Sequence, residues 1–325
     1  MEILKTLNNV TVEDLTEDGA FVIPEGIEAF CKETFWSCRN QLRKVIIPGS
    51  VKEIPKQAFI NFTALENVKL EFGVEGIQKE AFSQCKKLQE ISIPDSVEYI
   101  MDNAFYHCES LTSIELPVGL KTIHVCTFEY CKQLEEVHFP AFLKKIEAYA
   151  FRCCESLKGI ELWNDLQYIG ESAFSYCTSL QSVFVESGHL NQKCFGYCNQ
   201  LKNVILCDEV TAIDSFAFLE CENLMEVVLP NSEMKIAKDA FPKHTKITAE
   251  EVDVFSFESE EQINKLQDYL EENFNLASCA PHLVGDILAF VAAQGEGAEE
   301  KLDLLCMFLD STGIERDEIK KAIKK

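Results

Sequence analysis

The sequence predicts an α/β-type repeat solenoid of about ten 23-residue repeats, followed by a small all-α bundle. Phenylalanine recurs ten times from Phe35 to Phe241, at spacings of 21 to 24 residues. After Thr248 this recurrence stops, and apolar residues follow at helical spacings of three and four. We therefore expect a solenoid over residues 1–248, with residues 1–19 as its amino-terminal cap, and a separate acidic domain of three to four helices over 249–325.

Within each repeat, a leucine is followed by two alternating aliphatic residues and often by proline, as in Leu88, Ile91, Ile93 and Pro94. The alternation predicts a strand with one buried face, and proline ends the strand because it has no N–H to donate. A period in the low twenties with this pattern is typical of leucine-rich repeats, whose stacked units share one core. We therefore expect a curved ribbon with a parallel sheet on its concave face.

The repeat unit resembles that of the BspA-like leucine-rich repeat family over about residues 20–245. Residues 88–111 carry nearly every fixed position of the family's unit. Members of this family are mostly bacterial or protist surface proteins associated with adhesion and host-protein binding, so the resemblance implies a surface role as one alternative. Met1–Val10 lacks the apolar run of a secretory signal. A surface role therefore implies export without a recognisable signal.

The composition narrows the range of partners and compartments. Acidic residues outnumber basic ones by 54 to 30, for a net charge of −24, which disfavours nucleic acid and attracts basic proteins. Eight of the 15 cysteines stand three residues after repeat phenylalanines, and Phe62 fills the same position in another repeat. We therefore expect free thiols packed in the core and a cytoplasmic protein. The most apolar stretch outside the repeats, Ile287–Ala293, is too short to span a membrane.

Strand alternation predicts which side chains project from the concave face. Its centre is expected to be acidic and its carboxyl-terminal end apolar, a combination suited to a basic, partly hydrophobic ligand. Alternatively, the carboxylates only solvate the sheet, and the carboxyl-terminal domain covers the apolar residues. The predicted binding residues are Glu90, Ser92, Glu115, Glu136, His138, Glu161, Phe184, Ile205 and Val228.

These observations favour a non-catalytic scaffold or adaptor that binds a protein ligand, with a basic protein as the preferred class. Cell-surface adhesion or host-protein binding is the alternative. No catalytic motif accompanies His138, and the cysteines and histidines lack zinc-site spacing. We therefore expect no enzyme activity, no cofactor and no metal. The oligomeric state and the role of the helical domain, whether cap, second binding module or dimerisation element, stay open.

Overall fold

The chain coils so that equivalent residues of successive repeats lie side by side. The computed structural model describes residues 5–162, 166–229 and 234–249, and the strand pairs within these ranges are parallel. Most paired residues are 23 positions apart, as for Lys44 with Asn67. The chain divides into two units, Met1–Ala249 and Glu250–Lys325. The predicted helices belong to the second unit, which lies outside the described residues.

Each coil, meaning one turn of the solenoid, contributes a first strand to what we call the long-strand face. These first strands are β1 (Ala20–Val22), β2 (Lys44–Ile47), β4 (Asn67–Leu70), β6 (Glu90–Ser92), β8 (Ser113–Glu115), β10 (Glu136–His138), β12 (Gly159–Leu162), β14 (Ser182–Leu190), β15 (Asn203–Ile213), β16 (Glu226–Leu229) and β18 (Lys246–Ala249). Their hydrogen-bonded orders are β1-β2-β4-β6, β8-β10 and β12-β14-β15-β16-β18. This face is the parallel sheet that the repeat pattern predicts.

Most coils add a second strand of two residues, which the sequence pattern did not predict. These are β3 (Glu53–Ile54), β5 (Gly76–Ile77), β7 (Tyr99–Ile100), β9 (Thr122–Ile123), β11 (Lys145–Ile146), β13 (Tyr168–Ile169) and β17 (Lys235–Ile236). They pair in the orders β3-β5-β7 and β9-β11-β13-β14-β15-β17. We call this second sheet the short-strand face. The long strands β14 and β15 take part in both faces.

The prediction of an α/β-type solenoid is therefore corrected to a β-solenoid. Within the described residues, the helical segments are two short 3-10 helices, Val12–Asp14 and Trp36–Cys38. No helix there is long and apolar enough to cross a bilayer. In most of the described coils, a two-residue strand takes the place of the helical segment that other leucine-rich repeats carry.

The repeat phenylalanines form a continuous stack through the interior. From Phe59 to Phe241, consecutive rings lie with their centroids 4.9 to 5.4 Å apart, and their planes are within 16° of parallel. The offset between centroids is typical of favourable aromatic stacking. Rings from Phe35 to Phe218 are fully buried. One ring per coil thus stacks alongside strands that lie about 4.8 Å apart.

The turn that carries each phenylalanine is held by backbone hydrogen bonds to the next coil. The Phe82 N–H donates to the carbonyl of Ala104, and Phe105 N–H donates to that of Thr127, at 2.8 and 2.9 Å. The residues two before and two after most repeat phenylalanines are left-handed, as are Glu80 and Gln84. A non-glycine residue adopts this conformation at a cost of about 1 kcal/mol or more. The inter-coil hydrogen bonds and the buried ring offset that cost.

Candidate protein-binding face

The long-strand face alternates between core and surface as the sequence predicts. In β6 and β8 the central isoleucines, Ile91 and Ile114, are buried, and the residues on either side are exposed. Side chains of a strand point alternately to its two faces, so the exposed residues all lie on the side away from the phenylalanine stack. Glu90, Ser92 and Glu115 are accordingly available on the surface of two consecutive first strands, β6 and β8.

The acidic residues of this face form a zigzag. Glu90 and Glu136 occupy the first outward position of their strands, and Glu115 and Glu161 occupy the second. Ser113 pairs in register with Glu136, and Glu115 with His138, so β8 and β10 are aligned with each other. Neighbouring strands lie about 4.8 Å apart. Glutamates in the same column are therefore two coils, or about 10 Å, apart.

The individual environments of these residues differ. The Glu136 side chain is 66% exposed, and its Oε1 lies 3.0 Å from Nε2 of His138, which is 31% exposed. Glu161 is half-buried and has further interactions of its own. Glu90 and Glu115 make no ion pair with any residue that the structure describes. The part of this zigzag from Glu90 to Glu136 is thus the most open to a ligand.

The expected apolar patch at the carboxyl-terminal end of the face is not an exposed surface. Phe184 pairs in register with Glu161 and Ile205, as predicted, but only 1% of it is exposed. Ile205 is half-buried. The side chain of Val228 lies outside the described residues. The prediction that Phe184 is an exposed anchor is therefore wrong for this structure, although its register position is right.

Glutamates elsewhere on the solenoid pair with lysine or arginine at the same position of the neighbouring coil. The distances are 2.9 Å between Arg43 Nη2 and Glu66 Oε2, 2.9 Å between Lys52 Nζ and Glu75 Oε1, and 2.8 Å between Lys132 Nζ and Glu155 Oε1. Each of these partners is 23 residues from the other. Such exposed pairs add little stability, but they leave those carboxylates neutralised. Glu90 and Glu115 on the long-strand face have no such partner among the described residues.

The repeat cysteines are buried in the core, as predicted, and they also make a contact that the sequence does not reveal. Each thiol from Cys85 to Cys221 in this column donates to the carbonyl of the phenylalanine one coil earlier, at 3.0 to 3.3 Å. Burial raises the pKa of the Cys108 and Cys154 thiols well above the ordinary value. They are held as neutral hydrogen-bond donors, which is the form that suits a structural role.

A second cluster of polar side chains was not predicted from the sequence. Asp102, His124 and Glu147 come from three successive coils and bring their donor atoms within 4.8 Å of one another beside the short-strand face. Metal-site motifs that a sequence displays have short local spacings, whereas these residues are 22 and 23 positions apart. A signal was present, because His124 and Glu147 each follow the isoleucine of a second strand and so occupy the same position of the repeat.

Beside this cluster lies an open cleft of about 450 Å³. Its lining includes Glu147, Tyr168, Gly170, His189 and Asn191. A side chain at Gly170 would meet the backbone nitrogen of Ala148 at 2.5 Å, so glycine is needed for the close approach of these two coils. The cleft lies next to the carboxylate of Glu147 and gives it access to solvent.

Comparison with known proteins identifies the repeat. No curated protein matches the chain. A leucine rich cell surface protein from Faecalibacterium prausnitzii is 22% identical, with 70% of this chain and 80% of that chain covered and a TM-score of 0.44. The leucine rich repeat protein of T. pallidum is also 22% identical, over 67% of this chain and 91% of that one, with a TM-score of 0.41. The pneumococcal vaccine antigen PcpA is 16% identical, over 79% and 77%, with a TM-score of 0.33.

The family described as "BspA type Leucine rich repeat region" matches residues 14–111, 98–191 and 188–278. These segments together cover more than half of the 325 residues. They include the coils that carry the acidic zigzag, the phenylalanine stack and the cysteine column. The chain therefore belongs to the BspA-type leucine-rich repeat family, which makes it a repeat protein of the protein-interaction or adhesion type.

Proposed function

We propose that this protein is a non-catalytic binding protein whose long-strand face holds a basic protein ligand. The observation that carries the proposal is the run of exposed carboxylates Glu90, Glu115 and Glu136, of which Glu90 and Glu115 make no ion pair with a described residue. An acidic face attracts and orients a ligand with a basic surface. The net charge of −24 extends that attraction over a longer range.

The spacing of the zigzag narrows the kind of ligand that fits. Carboxylates in one column recur about every 10 Å along the solenoid axis. An extended polyproline II segment repeats every three residues, or about 9.3 Å. A ligand segment lying along the axis with lysine or arginine at every third residue would place its charges in step with Glu90 and Glu136, or with Glu115 and Glu161.

The face is tested by reversing its charge. The triple variant Glu115→Lys, Glu136→Lys, Glu161→Lys is expected to weaken binding of a proline-rich peptide with lysine at every third residue by about 30-fold or more. Three pairs at about 0.7 kcal/mol each account for that change. Fluorescence anisotropy at low salt measures it, because exposed charge pairs are screened as salt increases.

The control for this experiment changes the same net charge elsewhere. Glu17, Glu25 and Glu98 are exposed and lie off the long-strand face. Lysine at these three positions should therefore weaken binding of the peptide by only a few-fold. Equal loss in both triple variants would mean that total charge alone attracts the peptide. Unchanged binding by the face variant would reject this face as the site.

Adhesion at a cell surface is the second candidate, and family membership favours it. The expectation of a cytoplasmic location rested on the unpaired thiols. Ten of the 13 described cysteines are buried, however, which shields them from exchange and oxidation even in an oxidising medium. The free thiols are therefore compatible with either side of the membrane, and the surface location becomes the better-supported one.

Location is tested on intact cells of the source organism. If the protein acts in adhesion, an antibody against the repeat region is expected to label unlysed cells, and external protease is expected to remove that signal. A cytosolic enzyme serves as the control for lysis. Recovery of the protein only in the cytosolic fraction, with no surface label, would contradict the adhesion role and leave the intracellular scaffold.

A further inference from the structure

The cluster formed by Asp102, His124 and Glu147 has the geometry of a metal-binding site. His124 Nδ1 lies 3.1 Å from Oε2 of Glu147 and 4.0 Å from Oδ1 of Asp102. The three side chains are about a quarter to two fifths exposed, so they are partly shielded from water yet reachable. We propose that these three residues bind a zinc ion that ties three coils of the solenoid together.

The donor set fits zinc better than the hard cations. Calcium and magnesium take oxygen ligands almost exclusively, whereas zinc combines imidazole nitrogen with carboxylate oxygen. With bonds of about 2.0 to 2.1 Å in a tetrahedral arrangement, neighbouring ligand atoms lie about 3.3 Å apart. The distance between His124 and Glu147 already matches this value, and the distance to Asp102 exceeds it by less than the movement that a side-chain rotation provides.

Two features of the surroundings leave the position accessible. Lys79 pairs with Asp102, but its Nζ lies 3.5 Å from Oδ2, whereas Oδ1 is the oxygen that faces His124. The lysine thus occupies the outer oxygen, and the inner one is directed into the cluster. The cleft along Glu147 opens to solvent. Three protein ligands leave a fourth position, which a water molecule would fill.

The chain contains its own control for this site. His189 Nε2 lies 2.9 Å from Oδ1 of Asp214, a pair that also joins consecutive coils on the short-strand face. Within the described ranges, no third metal-binding side chain joins that pair. The two histidines therefore differ in the feature that the proposal depends on, which is the second carboxylate.

The test is calorimetric titration of zinc into the full chain. The protein is first treated with a chelator to remove bound metal, and a phosphine reductant is present to keep the thiols reduced. Wild type is expected to bind one zinc ion at this site with micromolar affinity or better. His124→Ala should weaken binding by about 100-fold or more, since even the loss of an outer-shell partner costs about 10- to 100-fold. His189→Ala should bind zinc as the wild type does.

Thiols are the competing ligands, and cobalt distinguishes them. A site of nitrogen and oxygen ligands gives cobalt weak visible bands, whereas thiolate ligands add strong near-ultraviolet absorption. We expect only the weak bands, and expect His124→Ala to abolish them. Glu147→Gln keeps the shape of the side chain and removes its charge, so it should reproduce the loss even if the alanine variant is unstable. No zinc binding by wild type, equal losses in the His124 and His189 variants, or thiolate bands that persist without His124 would overturn the proposal.

Discussion

Raising the pH from 8.5 to 10 should unfold the repeat region in a single steep transition. Seven fully buried thiols have a pKa raised by burial, namely Cys85, Cys108, Cys131, Cys154, Cys177, Cys194 and Cys198. In the unfolded chain a thiol ionises near pH 8.5. Above that pH the unfolded state binds fewer protons than the folded state, so the free energy of unfolding falls as pH rises.

The expected size of the effect follows from the number of thiols. Each contributes about 1.4 kcal/mol per pH unit once the unfolded thiol is ionised, and seven together contribute about 10 kcal/mol per pH unit. A typical domain is stable by only about 5 to 15 kcal/mol. Far-ultraviolet circular dichroism of the reduced protein as a function of pH measures the transition. Burial and Glu53 raise the pKa of Tyr99 to about 12, so tyrosine ionisation adds to the effect only above pH 10.

Removing thiols should make the pH dependence shallower. The double variant Cys131→Ala, Cys154→Ala lacks two of the seven groups. The slope of its free energy of unfolding against pH should therefore be smaller by about 3 kcal/mol per pH unit. Cys31 is exposed, and Cys31→Ser is the control, because it removes a thiol and keeps all seven buried ones. A slope that is the same in the double variant and the wild type would show that other groups govern alkaline unfolding.

Replacing Phe151 with alanine should destabilise the solenoid by about 3 to 5 kcal/mol, because it leaves a cavity in a fully buried column. The ring stacks on Phe128 at 5.2 Å and on Phe174 at 5.1 Å, so both neighbours lose a contact as well. Urea unfolding followed by circular dichroism measures the change in the free energy of unfolding.

The matched control is Phe142→Ala. Phe142 is 67% exposed and lies in the same coil region, so its loss should change stability by no more than about 0.5 kcal/mol. The comparison separates the stack from the general loss of an aromatic residue. A change of less than 1 kcal/mol for Phe151→Ala would contradict the role assigned to the stack.

The long-strand face was predictable from the sequence because its signal is repeated. The leucine and the two aliphatic residues alternate in nearly every coil, so a single register error would expose a whole set of apolar side chains. The short-strand face was not predictable in the same way. A strand of two residues, such as Thr122–Ile123, is too short to display any alternation, and its pairing depends on the register that the first strands and the phenylalanine stack impose.

The same distinction applies to the residues of the candidate sites. The positions of Glu90, Glu115 and Glu136 on the surface follow from strand alternation alone. The burial of Phe184 does not, because alternation fixes the side of the sheet to which a residue points and says nothing about what else packs on that side. The Asp102, His124 and Glu147 cluster forms only when three coils stack, so a search for short motifs overlooks it.

The strands β14 and β15 join two sheets that are otherwise separate. Most coils have a proline between the two faces, whereas Glu186 and Cys207 stand at that position here, and the strands continue across the corner through register shifts. Coupling between the faces is therefore uneven along the solenoid. In the earlier coils a local fluctuation can open one face and leave the other closed, but at β14 and β15 both must open together. At these two coils the two faces therefore form one cooperative unit, so strain on either face is transmitted to the other.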